Sequence, residues 1–269
     1  MQTLCLYHAG CMDGFGSAWV VNRYAKDCEF IPVKYNDPPP DVASRDVYIV
    51  DFSYPRDVLI QMYQDANSLI VLDHHKSAQE NLQGLDFARF DMNKSGCIMT
   101  WECLFPDFPS PMFLDYIQDR DLWKFELENS KAINAAMFSY PMDFEVWSHT
   151  FIGTRSLIEL KEQGTAILRD RQKQIDSLVS GWAISRATIG GYDVPCLNCP
   201  RPLASDVLNI LAQNEPFAAG YFDNAKNRQF ELRSTDEGVD VSQIARQFGG
   251  GGHRNAAGFS VEKPNLKIG

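Results

Sequence analysis

The stretch Ser68-Leu69-Ile70-Val71-Leu72-Asp73-His74-His75 decides how this chain is read. Leu69 to Leu72 is a short, continuous apolar run, of the kind that forms a strand buried on both faces. It ends on a carboxylate and two imidazoles. Two upstream runs end the same way: Thr3 to Tyr7 leads into His8, and Val47 to Val50 ends on Asp51. After His8, Cys11 and Asp13 fall in a glycine-rich turn that precedes a helix-like stretch from Ser17 onward. Parallel strands alternating with helices bring their C-terminal ends to one sheet edge, which is where α/β proteins place ligands. Residues distant in the chain are therefore expected to share one site. Asp51 alone would read as a turn or cap residue. With equivalent residues at three strand ends, a common site is the better account.

Imidazoles combined with several carboxylates suit Mn²⁺, Fe²⁺ or Mg²⁺ better than they suit a thiolate-rich structural zinc site. Two such ions, roughly 3.5 to 4 Å apart, activate a water and offset the charge of a phosphoryl transition state. Hydrolysis of a phosphate ester is the expected reaction class.

A second cluster lies near the C-terminus. Val241 to Phe248 has helical periodicity, with Val241, Ile244, Ala245 and Phe248 on one face, and runs into Gly249-Gly250-Gly251-Gly252-His253-Arg254. Bare backbone amides approach an anion closely, and His253 and Arg254 add cationic donors. Arg233, ending the strand-like Gln229 to Leu232, is placed to join them. A plain glycine linker would explain neither the His-Arg pair nor the following Ala256-Ala257-Gly258.

Composition narrows the field. A chain of 269 residues, 45% hydrophobic, buries enough for two domains. No run approaches the roughly 18 to 20 apolar residues that cross a membrane, and the N-terminal strand lacks the basic flank of a signal peptide. Seven irregularly spaced cysteines favour a reducing cytoplasm over a disulfide framework, and the Cys196-x-x-Cys199 pair has no matching partner pair. The net charge of -10, with no basic stripe, argues against tracking along long nucleic acid and for a compact anionic substrate. From Leu157 to about Trp182 the pattern is long and helical, with Leu168, Gln172, Ile175, Val179 and Trp182 along one face. This helix is expected to join the domains, with a catalytic cleft between them. Its stripe also suits a homodimer surface.

Taken in order, His8-x-x-x-x-Asp13-Gly14, Asp51, Asp73-His74-His75, Asp119-Arg120-Asp121, Gly249 to His253 and Ala256-Ala257-Gly258 resemble the motifs of the DHH phosphoesterase superfamily, in the branch with a C-terminal DHHA1 domain. The resemblance spans residues 8 to 258. It implies an α/β fold with an N-terminal DHH domain over residues 1–155, its mainly parallel sheet flanked by helices. A linker helix over 156–185 and a smaller α/β DHHA1 domain over 186–269 would follow. It also implies two metal sites, manganese being the expected ion with Mg²⁺, Fe²⁺ or Zn²⁺ as alternatives, bridged by Asp51. His8 would hold the first ion. Asp13, His74 and an aspartate of the 119/121 pair would hold the second, and Asp119 matches the family's fourth motif better. Asp121 would then pair with Arg120 or hold the loop. His75 would lie beside the scissile phosphate, with Asp73 orienting an imidazole. Gly250, Gly251, Gly252, His253, Arg254 and Arg233 would grip the rest of the substrate.

One departure stands out. Cys11 occupies the position where the family has a second aspartate, with one residue fewer between His8 and Asp13. As a ligand, its thiolate would favour zinc or iron over magnesium; otherwise the first site is weak or vacant. The resemblance implies a phosphodiesterase acting on short oligonucleotides or small cyclic or linear dinucleotides. The alternatives are a phosphomonoesterase on adenosine 3',5'-bisphosphate, a polyphosphate hydrolase, or a non-catalytic nucleotide-binding module. Phe15, Phe52, Tyr54 and Trp123 lie near motifs as candidates for stacking on a base.

Overall fold

The computed structural model describes residues 3–152 and 157–263. It forms two compact units, Met1–Leu168 and Arg169–Gly269. In the first, β1 (Thr3–His8), β2 (Cys28–Val33), β3 (Asp46–Val50), β4 (Ser68–Asp73) and β5 (Ala88–Phe90) form one sheet in the order β2-β1-β3-β4-β5. Every pairing in it is parallel. The strands form because their apolar residues serve both faces. Leu4, Leu6, Val47, Ile49, Leu69 and Val71 enter one core layer, while Cys5, Val50 and Leu72 enter the opposite one with Ala18 and Val21. Each fully buried aliphatic side chain contributes about 1.5–3 kcal/mol.

The register positions the chemistry. Tyr7 lies opposite Val50, and Val50 opposite Leu72. One step further along each strand, His8, Asp51 and Asp73 come side by side at the C-terminal edge.

Helices α1 (Met12–Tyr24), α2 (Arg56–Asp65), α3 (Lys76–Leu82), α4 (Gly96–Leu104), α5 (Met112–Asp121), α6 (Ser130–Met137) and α7 (Phe144–Phe151) complete this unit, with the start of α8 (Leu157–Val179). α1 begins at Met12, five residues before the expected Ser17, so Asp13 belongs to a helical first turn rather than to a glycine turn. Gly14 is there because the helix abuts the strand it follows: a Cβ at this position would collide with the His8 carbonyl.

α8 ends at Val179, short of the expected 185. Gly181 follows at φ 100°, a conformation that stops helices and favours glycine. Ile175 is buried on the expected stripe, but Gln172 is exposed and Trp182 is 78% exposed. The expected boundary at 155/156 lies outside the described residues, and the two compact units divide within α8.

The second unit holds β6 (Ser185–Ile189), β7 (Tyr192–Asn198), α9 (Arg201–Leu211), β8 (Ala218–Asp223), β9 (Asn227–Arg233), α10 (Val241–Arg246), β10 (Gly251–His253) and β11 (Ala256–Glu262). Its six-stranded sheet runs β10-β11-β9-β8-β7-β6. Only β7 and β8, joined across α9, pair in parallel; the other pairings are antiparallel. Cys196 and Cys199 enter separate core layers of this sheet, so their spacing is a packing pattern. No helix among the described residues is long and apolar enough to cross a membrane.

Candidate metal centre

At the sheet edge, one imidazole nitrogen meets three carboxylates. His74 Nε2 lies 3.2 Å from Asp51 Oδ1, 3.4 Å from Asp121 Oδ2 and 3.6 Å from Asp13 Oδ2. A single ring nitrogen carries at most one proton and satisfies one of them, so the convergence calls for a cation. Asp13, His74 and Asp121 form one group of converging ligand atoms; His8, Asp51 and His75 form a second. Asp51 reaches both. Its Oδ1 is on His74, while its Oδ2 lies 3.6 Å from His8 Nδ1. That second oxygen is buried and has no hydrogen-bond partner, which a bound divalent ion would supply. Asp51 also sits at φ 54°, a left-handed conformation costing a non-glycine residue about 1–3 kcal/mol. Its amide stays tied to the sheet by a 2.9 Å bond to the Leu72 carbonyl.

Charge balance tells the same story. Burial disfavours a charged His74, but Asp51, Asp121 and Asp13 outweigh it and raise its pKa to about 10. Burial, with the Asp51 and Asp121 charges alongside, raises that of Asp13. Burial would raise that of Asp51 too, yet the neighbouring imidazoles of His74, His8 and His75 bring it below the ordinary range. Without a cation the cluster holds protons that a metal would displace.

Asp73 is an orienting group. Its Oδ1 accepts from the amides of His74 (2.7 Å) and His75 (3.2 Å) and lies 2.6 Å from His75 Nδ1; its Oδ2 accepts from the Ser53 hydroxyl at 2.6 Å. This arrangement fixes the His75 ring through its Nδ1. Burial lowers the pKa of His75, but the Asp73 charge prevails and raises it to about 9.

Three components escaped the sequence reading. The Gly96 and Cys97 amides, opening α4, donate to Asp13 Oδ2 at 2.6 Å and Oδ1 at 2.9 Å, matching a carboxylate to a helix N-terminus. Gly96 must be bare, because a Cβ there would lie 2.7 Å from Asp51 Cβ. The signal was Ser95-Gly96 ahead of an apolar helix. Ser53 was a second omission. Tyr35 was the third, its ring centroid 5.6 Å from that of His8 and 6.4 Å from that of His75. It lies in a loop with no motif to announce it.

Several expectations need correction. Asp119 does not join the cluster. Its carboxylate accepts from the amides of Glu126 (2.9 Å) and Leu127 (3.3 Å), and its carbonyl from those of Lys124 and Phe125. Asp121 instead stands among the converging atoms, with Asp13 and His74. Cys11 lies outside both groups of converging atoms: it occupies the N-cap position of α1 without a side-chain capping bond, and burial, with the charges of Asp51, Asp121 and Asp13, raises its thiol pKa. His75, expected only beside the reacting phosphate, converges with His8 and Asp51.

In the second unit, Arg254 is committed to its own loop, donating to the carbonyls of Thr235, Asp236 and Gly238 and to Asn255 Oδ1. Through these bonds it holds the 235–238 turn. Arg233 donates to the Ser205 hydroxyl and the Leu232 carbonyl and lies 3.4 Å from Glu231. Gly250 and Gly252 are bare because β11 passes too close for a side chain. Only Gly251 of the expected three faces open space. His253 ends β10, half-buried.

Residues 201–267 match the DHHA1 domain family. Uncharacterized protein R106 of Acanthamoeba polyphaga mimivirus is 32% identical over 283 residues, covering 95% of this chain and 66% of that protein. The chain thus spans just under two thirds of the relative's length. Among solved structures, a pGpG-specific phosphodiesterase, PggH, from Vibrio cholerae superposes with a TM-score of 0.55 at 13% identity, over 97% of this chain and 94% of that one. Exonuclease RecJ bound to manganese does so at 0.50 and 13%, over 97% and 86%. These two likenesses are of fold. With its motifs, its fold and the DHHA1 match over residues 201–267, the chain resembles the DHH superfamily, in the branch that carries a DHHA1 domain.

Proposed function

We propose that this protein is a divalent-metal-dependent phosphodiesterase that hydrolyses short oligonucleotides or dinucleotides. The observation that carries the reading is the pair of ligand groups joined through Asp51, with its buried, unpartnered Oδ2. Asp13, His74, Asp121 and Asp51 Oδ1 would hold one Mn²⁺. His8 and Asp51 Oδ2 would hold the other, beside His75. The bound ions supply an activated water and offset transition-state charge.

The chain's own residues do the rest. Asp73 holds His75 by Nδ1 and favours its protonated form, so Nε2 donates a hydrogen bond or proton to the leaving oxygen. The α4 amides keep Asp13 oriented toward the ion. In the second unit, Gly251, His253 and Arg233 are assigned to binding a substrate phosphate. A resemblance to phosphoesterases in motifs and a likeness of fold to a pGpG-specific phosphodiesterase support the reading.

The test is hydrolysis of 5'-labelled di- and pentanucleotides, cyclic dinucleotides, adenosine 3',5'-bisphosphate and polyphosphate, with Mn²⁺ and with chelator. Metal-dependent cleavage of the linear nucleotides is expected. Mn²⁺ binding without cleavage of any would make the protein a nucleotide-binding module.

A further inference from the structure

Four aromatic residues neighbour the motifs, and the fold disposes of three. Phe15, Phe52 and Tyr54 are 4%, 1% and 4% exposed and belong to the core. Trp123 is 42% exposed. It follows the ligand-group residue Asp121 by two positions, so its backbone lies within about 7 Å of that residue.

The loop carrying Trp123 is built in detail. Trp123 and Phe125 stand at φ 56° and 53°, where bulky side chains are rare. Amide bonds to the carbonyls of Arg120 and Asp119, and to the Asp119 carboxylate, hold the chain in that shape. The Trp123 ring meets Phe125 edge to face at 4.9 Å. The Arg120 guanidinium lies 5.8 Å from the Trp123 ring centre and 4.8 Å from that of Phe138, itself 41% exposed. An unfavourable backbone, fixed by several hydrogen bonds, thus presents an indole to solvent next to the proposed metal centre. Core packing does not explain it.

We propose that Trp123, backed by Arg120, is a base-stacking subsite that selects nucleotides over phosphate-only substrates. This rests on the reading above in placing the substrate phosphate at the metal centre. Indole faces and guanidinium planes stack on any base, giving affinity without sequence preference. Stacking also suits a chain of net charge -10 with no basic stripe, which cannot rely on phosphate attraction alone. The selected class is a nucleotide bearing at least one base; polyphosphate and pyrophosphate gain nothing there.

The experiment compares calorimetric affinities of adenosine 5'-monophosphate and ribose 5-phosphate, with Mn²⁺, for the parent, Trp123→Ala, Trp123→Leu and Trp123→Phe. The parent is expected to bind the base-bearing ligand about tenfold more tightly, in line with one stacked base. Trp123→Ala and Trp123→Leu should erase that ratio while leaving ribose 5-phosphate binding within about twofold. Trp123→Phe should keep most of it. A parent ratio near one, a ratio that survives in both Ala and Leu variants, or equal loss of both ligands would overturn the subsite. Dinucleotide turnover, measured alongside, judges the phosphodiesterase reading separately: a Trp123-dependent ratio without turnover keeps the subsite and sinks that reading.

Discussion

Gly96→Ala tests how tightly the proposed metal centre is built. The added Cβ would lie 2.7 Å from Asp51 Cβ, 3.0 Å from Asp51 Cα and 3.1 Å from Asp13 Oδ2. Ordinary contact begins at 3.4 Å, so one side must move by about 0.7 Å, the difference between 3.4 and 2.7. Neither neighbour is a flexible chain end. Asp51 is held at a positive φ by its sheet bond, and Asp13 is pinned by the Gly96 and Cys97 amides. Overpacking of this kind costs about 1–3 kcal/mol. Replacing glycine returns about 0.4–1 kcal/mol through the unfolded chain. The net loss lies between about 0 and about 2.6 kcal/mol, and each kcal/mol lowers the melting temperature by about 2–4 °C. The larger effect falls on the metal, because groups that orient ligands are worth about 10- to 100-fold in affinity. Thermal unfolding and calorimetric titration with Mn²⁺ read both. A variant that melts with the parent and binds Mn²⁺ within about twofold of it refutes the packing described at Gly96.

Asp121→Asn should lower Mn²⁺ affinity at least tenfold with little change in melting. Asp119→Asn should do the reverse, since loss of the charged acceptor for two amides costs about 1–3 kcal/mol in the loop; calorimetry and melting of the pair decide. In chelator, stability should fall as pH rises. His74 and His75, with folded pKa values of about 10 and about 9 against an ordinary value of about 6.5, contribute fully below that value and lose their contribution as pH passes the folded ones. At pH 7, Mn²⁺ binding should release protons, seen as a binding enthalpy that changes with the ionisation enthalpy of the buffer. Arg254→Ala should make the 235–238 turn more susceptible to protease while leaving nucleotide affinity unchanged; lost affinity with an intact turn would return Arg254 to the substrate.

The strand ends were legible because an apolar run of four or five residues stopping on a polar group marks both a buried strand and its exit. The three runs ending at His8, Asp51 and Asp73 therefore yielded the sheet edge. The start of α1 was not legible. Gly14 and Gly16 looked like turn residues, whereas they make room for the His8 backbone and for Cys97, both outside the helix. Asp119 and Asp121 show a different limit. Two residues apart on a helix point about 200° apart, so only one faces the site, and the helix phase decides which. Arg254 shows a third: residue type reveals a donor, but its acceptors came from a loop some 16 to 19 positions away. The place of Cys11 outside the ligand groups likewise depends on where α1 begins.

The most direct test of the proposed two-ion centre, in which Asp51 would serve both ions, is Mn²⁺ stoichiometry at equilibrium, in the parent and in Asp51→Asn, with dinucleotide turnover followed on the same samples. Two ions per chain in the parent, and loss of both bound metal and turnover in Asp51→Asn, is the predicted result. A parent that binds no Mn²⁺, or an Asp51→Asn variant that keeps parental stoichiometry and turnover, would contradict it.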